Sequence, residues 1–209
     1  KSLRCNAIVA KVSIVDPECM MTMPKKVLAS VTFDALCHNI EAYTSKIAQP
    51  LTDALSLYAI ELIANNLVSV YNGTGNKKEW ENITMASTIG GMVINTAGVT
   101  LAHGMEHPAS GLKNILTPVV IDASYKGDEE KFGDIAEIFG GKSAADCADK
   151  IRELLKAIDL ECKLSDLGIA EEDIPWMAEN CMKVSAAGVA NNPVVFTQEE
   201  IAEIYRKAL

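Results

Sequence analysis

The chain has 209 residues, 49% of them hydrophobic but only 5% aromatic, and a formal net charge of −9. A core of Ala, Ile, Leu, Val and Met with so few rings favours packed helices over a β-sandwich. The acidity, with no run of Lys or Arg, argues against nucleic acid and against an anionic membrane surface as partners.

In chain order, the apolar run 7–15 predicts the one strand, ended by a turn at Asp16-Pro17. A lone strand leaves its backbone donors and acceptors without a ladder. Either it lies on the helices as irregular chain or its sheet belongs to a further domain, and the second is expected. A helix over about 26–44 follows. Pro50 is expected as a stop, with a second helix starting at Thr52-Asp53 and turning Leu55, Leu57, Ile60, Ile63, Leu67 and Val70 inward. Gly73-Thr74-Gly75-Asn76 closes it; a Gly-x-Gly after a helix is a C-cap turn, not a phosphate cradle. A third helix begins near Lys77 and breaks at Ala97-Gly98. The stretch 82–105 is long and uncharged enough to raise a membrane question, but Ser87, Thr88, Asn95, Thr96 and Thr100 mark it as a buried helix. Shorter helices are expected over about 128–139, 143–158 and 172–188, with Leu167-Gly168-Ile169 as a connector. Thr197-Gln198-Glu199-Glu200 is a capping box for a last helix reaching Ala208. No repeat or linker divides these helices, so residues 25–209 are expected to form one domain.

Six cysteines (Cys5, Cys19, Cys37, Cys147, Cys162, Cys181) contain no C-x-x-C pair. Free thiols in a reducing cytoplasm fit better than a disulfide framework or a zinc ribbon.

The three histidines fall in two motifs. His38 lies four residues after Asp34, and His103 and His107 are four apart. Residues spaced by four share a helix face, so each motif aims two ligand-type side chains at one point. Two such helices face to face would gather a carboxylate and up to three imidazoles around one divalent ion, with Cys37 pointing away as packing. Such a donor set suits Zn(II) or Fe(II), which polarise a bound oxygen. Hydrolysis and alcohol oxidation both remain open on ligand type alone. His103-Gly104-Met105-Glu106-His107 also reads as H-x-x-E-H, the inverted zinc-peptidase motif, with Glu106 as base. That reading leaves Asp34 and His38 unused, and Glu106 is read more simply as an exposed helix charge. A third reading is a non-catalytic helical domain that has lost its site.

The segment Asp34-Ala35-Leu36-Cys37-His38-Asn39-Ile40-Glu41-Ala42-Tyr43 resembles the D-A-L-x-H-x-x-E-x-Y signature of the iron-containing alcohol dehydrogenases. Ile14-Val15-Asp16-Pro17-Glu18, Thr22-Met23-Pro24, Leu51-Thr52-Asp53-Ala54-Leu55, Asn95-Thr96-Ala97-Gly98, His103-Gly104-Met105-Glu106-His107-Pro108 and Asn192-Pro193 are similar to further family motifs, in order along the chain. The resemblance implies a mainly α fold, the multi-helix C-terminal domain shared with glycerol dehydrogenase and dehydroquinate synthase. Residues 1–24 would be a residual strand and lead-in from a nucleotide-binding domain, and 25–209 the metal- and substrate-binding domain. By that likeness Asp34, His38 and His103 would be metal ligands for Fe(II), with Zn(II) as the alternative. His107 would face the nicotinamide of NAD(P) and the substrate, in the proton path. The implied reaction is reversible hydride transfer between a small alcohol and NAD(P), in a cytoplasmic enzyme of dimeric habit. Selectivity would lie in pocket residues such as Ile94 and Leu112.

Two departures from the family pattern stand out. The family's fourth ligand, a histidine in a Pro/x-His-Gly loop, has no counterpart, since no histidine follows His107. The segment before Thr117-Pro118 is also short, so a missing loop is expected between about Asn114 and Leu116. No counterpart of the family's Gly-rich nucleotide-binding half is expected among these residues, which by themselves are not expected to bind NAD(P) well. Thr100 replaces a usual glycine.

Overall fold

A computed structural model describes residues 8–109 and 113–209. Among them the fold is carried by helices α1 (Lys25–Thr44), α2 (Pro50–Tyr71), α3 (Lys77–Ala97), α4 (Leu101–Glu106), α5 (Lys113–Ser124), α6 (Glu129–Ile138), α7 (Cys147–Ala157), α8 (Ile174–Val184), α9 (Ala186–Asn191) and α10 (Gln198–Arg206). The mainly α expectation is met.

The N-terminal strand is not formed. Residues 10–15 carry no regular structure, and Ile8, Val12 and Ile14 are exposed, Ile14 at 90%. Ala7, where that strand was expected to start, lies outside the described residues. Helices present no edge that could receive a strand's N–H and C=O groups, so an isolated apolar run stays irregular. The turn after it does form: Asp16 Oδ1 accepts a hydrogen bond from Glu18 N at 3.0 Å and opens the 3-10 turn Pro17–Met20.

Pro50 starts α2 rather than stopping a helix. At the first helical position its missing N–H has no partner to lose. Gln49 N donates to Thr52 Oγ1 (2.9 Å), and Thr52 Oγ1 donates back to Gln49 O (2.8 Å), closing the cap. The helix expected over 172–188 is two, α8 and α9, broken at Ser185. No helix is expected from the sequence at α5, and residues 114–116, where the missing loop is expected, lie within it.

Two hydrophobic clusters build the interior. The first joins α1, α2, α3, α6 and α7 around Phe33, Leu36, Ile60, Ile63, Leu67, Ile135 and Ile151. The second joins α4, α5, α8, α9 and α10 around Leu101, Met105, Leu116, Ile174, Ile201 and Tyr205. Among the described helices, α2 is the one long and apolar enough to cross a membrane, rather than the 82–105 stretch. Its Ala59, Ile60, Ile63 and Leu67 are fully buried against the first cluster.

Polar side chains stitch the helices where the chain turns. Asn191, at the end of α9, is the densest such knot. Its Oδ1 accepts from Ser45 Oγ (3.0 Å) and Ile47 N (3.3 Å), while its Nδ2 donates to Ala97 O and Val99 O, both at 3.0 Å. Asn192 adds Nδ2 bonds to Ser124 Oγ (2.9 Å) and Val194 O (2.8 Å). Close contact of α1 and α3 depends on Gly90: a Cβ there would lie 2.9 Å from Asn39 Nδ2, 3.3 Å from Ala35 O and 3.4 Å from His38 Cβ.

Removing the Asn191 amide leaves several buried backbone groups unpaired. Asn191→Ala is therefore expected to lower stability by about 3 kcal/mol, at about 1–3 kcal/mol for each unsatisfied group with partial relaxation; the midpoint of urea unfolding reads this directly. Gly90→Val should cost about 2–3 kcal/mol by overpacking the α1–α3 contact. A midpoint unchanged from the parent protein in the same titration would show that the two helices can separate there without loss.

Candidate metal centre

The site lies where the two clusters meet. Successive turns of α1 carry Asp34 and His38. α4 carries His103 and Glu106, and His107 follows at its C-terminus. The ring centroids of His38 and His103 are 6.0 Å apart, and those of His103 and His107 are 5.1 Å apart. His38 and His103 are thus brought side by side, with Asp34 Oδ2 3.8 Å from His38 Nε2. Glu106 is not the exposed charge that the sequence reading preferred: its side chain is only 12% exposed, and its Oε1 lies 3.2 Å from His103 Nδ1. Helix α4 is short and tucked under α5, which turns Glu106 inward.

Glu41 holds the two helices in this relation. It is fully buried one turn beyond His38, and its Oε2 accepts hydrogen bonds from Thr100 N (2.6 Å), Thr100 Oγ1 (3.2 Å) and His103 N (3.4 Å). These are donors at the start of α4, where helical N–H groups have no partner of their own. Thr100 at the usual glycine position thus gains a hydroxyl bond to the same carboxylate. The Asp34–His38–Glu41 spacing (i, i+4, i+7) lies on one helix face and was visible within the signature, but the role of Glu41 as a cap for another helix was not.

Lys113, the first residue of α5, was missed by the sequence reading. Its Nζ lies 2.6 Å from Asp34 Oδ1, 2.8 Å from His38 Nε2 and 3.7 Å from Glu106 Oε1, with 5% of the side chain exposed. An ammonium group has donors only, so His38 Nε2 must accept this bond through its lone pair. His38 is therefore neutral here, and its 3.8 Å approach to Asp34 Oδ2 is not an ion pair. Burial of α5 against α1 brings the lysine in; Cys37 Sγ and Thr117 Oγ1 meet at 3.1 Å across that contact, which makes Cys37 a packing residue as expected.

Electrostatics follow from burial and from this cation. Desolvation first, then Lys113, pushes His38 down to about 4, with Asp34 opposing. Desolvation, Lys113 and the neighbouring imidazoles push His103 down to about 3. Burial raises the Glu106 carboxyl to about 7, against the pull of Lys113, and raises Glu41 to about 6. For Lys113, burial acts to lower the value, but Glu41, Glu106 and Asp34 outweigh it and hold the ammonium above the usual range. Both imidazoles are thus neutral at neutral pH, the form that ligates metals. The donor set also fits a metal on a second count: His103 Nδ1 is buried and makes no well-aligned hydrogen bond, although Glu106 Oε1 lies 3.2 Å from it.

His107 is exposed, and its Nδ1–H donates to His103 O at 2.7 Å, which leaves Nε2 free for a bound molecule. His103, Glu106 and His107 also form a group whose ligand atoms lie within 4.8 Å of one another. Of the pocket residues expected to set selectivity, Ile94 packs against the first cluster and Leu112 lies outside the described residues. A cleft of about 180 Å³ opens beside Asp34 and Lys113. A larger cleft, about 780 Å³, lies between α5, α7 and the C-terminal residues 207–209 and contains none of the histidines.

Residues 28–209 match the family described as the Fe-containing alcohol dehydrogenase family, C-terminal. The chain is 39% identical over 213 residues to the 1,3-propanediol dehydrogenase of Citrobacter freundii, covering 94% of this chain and 54% of that protein. It is 32% identical to the lactaldehyde reductase of Escherichia coli strain K12, covering 96% and 56% of the respective chains. Among solved structures, a 1,3-propanediol oxidoreductase superposes with a TM-score of 0.85 at 37% identity, over 93% of this chain and 55% of that one. The iron-containing alcohol dehydrogenase of Thermococcus thioreducens gives 0.88 at 30% identity, over 98% and 56%. The chain spans about half the length of the curated relatives it matches. Its helical fold and its ordered motifs place it, as a member, in the iron-containing alcohol dehydrogenase family.

Proposed function

We propose that this chain forms the metal- and substrate-binding part of an NAD(P)-dependent alcohol dehydrogenase acting on small alcohols and aldehydes in the cytoplasm. The observation that carries it is the convergence of Asp34 and His38 on a single cation, the Lys113 ammonium, with the His103 ring alongside. Residues 25–209 would be that part, and 1–24 the lead-in from a nucleotide-binding part. Relatives named 1,3-propanediol dehydrogenase and lactaldehyde reductase support a short-chain alcohol or aldehyde as substrate. Free thiols at Cys19, Cys37, Cys147, Cys162 and Cys181 fit a reducing compartment.

Asp34, His38 and His103 would hold Fe(II), or Zn(II) in its place. The ion supplies positive charge that makes a hydroxyl proton easier to lose and a carbonyl carbon easier to reduce. The chain's own residues do the rest. His38 and His103 are neutral, so neither must lose a proton before it can ligate. Glu41 fixes α4 so that His103 keeps its place relative to α1. His107, oriented by its Nδ1–H bond to His103 O, presents Nε2 to take a proton from the alcohol and to exchange it with water at the surface. NAD(P) itself would be held mainly by the other half of the protein.

The clustering of His103, Glu106 and His107 favours one competing reading, a zinc hydrolase with Glu106 as base. Titration of the purified protein with Zn(II), or with Fe(II) under anaerobic conditions, separates the two. His38→Ala is expected to lower metal affinity at least about tenfold, the least that loss of a ligand costs when even outer-sphere partners are worth about 10–100-fold. His107→Ala should leave that affinity within about twofold while cutting alcohol oxidation by the complete enzyme about 100-fold, as loss of an acid–base group does. The reverse pattern, with metal lost on changing His107 and kept on changing His38, would hand the site to the hydrolase.

A further inference from the structure

We propose that Lys113 is a built-in cation of this site, lodged among the metal's own donor atoms, so that a divalent ion binds only by expelling the ammonium group. The inference rests on the metal-site reading above and adds a competitor that the sequence motifs do not contain.

The argument is one of shared lone pairs. An imidazole nitrogen has a single lone pair, and that of His38 Nε2 is committed to Lys113 Nζ at 2.8 Å. The same atom cannot serve a metal at the same time. Asp34 Oδ1 lies 2.6 Å from the ammonium, so a dication using these two donors would stand at contact distance from another positive charge. Occupation by lysine and occupation by metal are therefore exclusive. The lysine is not there by surface accident: its side chain is 5% exposed and starts the first turn of α5, which the Cys37–Thr117 contact holds against α1. Nor is its charge surplus in that position. Glu106 Oε1 lies 3.7 Å away, 12% exposed, and Glu41 is fully buried nearby with its Oε1 unpartnered, so the ammonium neutralises acidic groups that a metal would otherwise have to balance. The carboxylates are thus served by a cation in either state, and the state changes by a swing of one flexible side chain.

Co(II) titration, followed by its visible absorption, compares the full chain with Lys113→Met, which keeps the length of the side chain and removes its charge; Lys113→Gln serves if the first variant is poorly folded by circular dichroism. The variant is expected to bind Co(II) at least about tenfold more tightly, the factor that about 1.4 kcal/mol represents. Adding Asp34→Asn to Lys113→Met should cancel the gain. Acylation of the unmodified protein gives a test without substitution: mass spectrometry should show Lys113 reacting faster once Co(II) saturates the site. Equal or weaker binding by both lysine variants, or a Lys113 acylation rate indifferent to metal, overturns the inference while the metal site stands. Absence of Co(II) binding in every form overturns both.

Discussion

The buried carboxylate of Glu41 is the constraint on which the rest of the site depends. It sits on α1, in the first hydrophobic cluster, and accepts hydrogen bonds from backbone donors at the start of α4, in the second. Apolar contact between two clusters fixes how much surface is covered but not the rotation of one helix against another, because dispersion and hydrophobic burial are nearly non-directional. Hydrogen bonds to a rigid carboxylate do fix it. One residue thus sets the phase of α4 relative to α1, and with it the separation of the His38 and His103 rings. The cost of burying that carboxylate, visible in its raised value of about 6, is offset by three donors and by the Lys113 charge.

The candidate site was legible because helix periodicity turns spacing into direction. Asp34, His38, His103 and His107 could be paired by counting, and the signature around His38 located them in a family. The same arithmetic gave the ends of α3, the capping box of α10 and the turn at Asp16-Pro17. It failed where an outcome depends on a partner not adjacent in sequence. The apolar run 7–15 has strand composition, but strand formation is decided by the availability of an edge. Pro50 is a breaker inside a helix and a starter at its first position, and only the cap made by Gln49 and Thr52 decides between them. Glu106 looks like a surface charge until α5 covers it. Lys113 carries no spacing signal at all, since it reaches the site through the tertiary contact of α5 with α1.

Beyond Glu41, the two asparagines at the end of α9 hold regions that hydrophobic packing leaves loose. Asn191 bonds backbone on both sides of the α3–α4 turn and at the α1–α2 turn, while Asn192 reaches α5 through Ser124. These amides satisfy orphan groups at helix ends, where neither cluster can. They also explain why a match at Asn192-Pro193, far in sequence from every proposed ligand, belongs with the site motifs: both asparagines clamp the turn that delivers α4.

The order in which the chain visits its two clusters has a consequence for how the molecule can be divided. Helices α1 to α3 lie in the first, α4 and most of α5 in the second, with Ile121 of α5 in the first, α6 and α7 return to the first, and α8 to α10 finish the second. Such interleaving means that no single cut of the backbone yields two autonomous pieces, despite the presence of two cores. The first three helices contact one another as sequence neighbours, whereas the second cluster joins α4 and α5 to α8, α9 and α10 across a longer stretch of chain. Because Asp34 and His38 sit on α1 and His103 on α4, the constellation exists only where the two clusters are packed against each other.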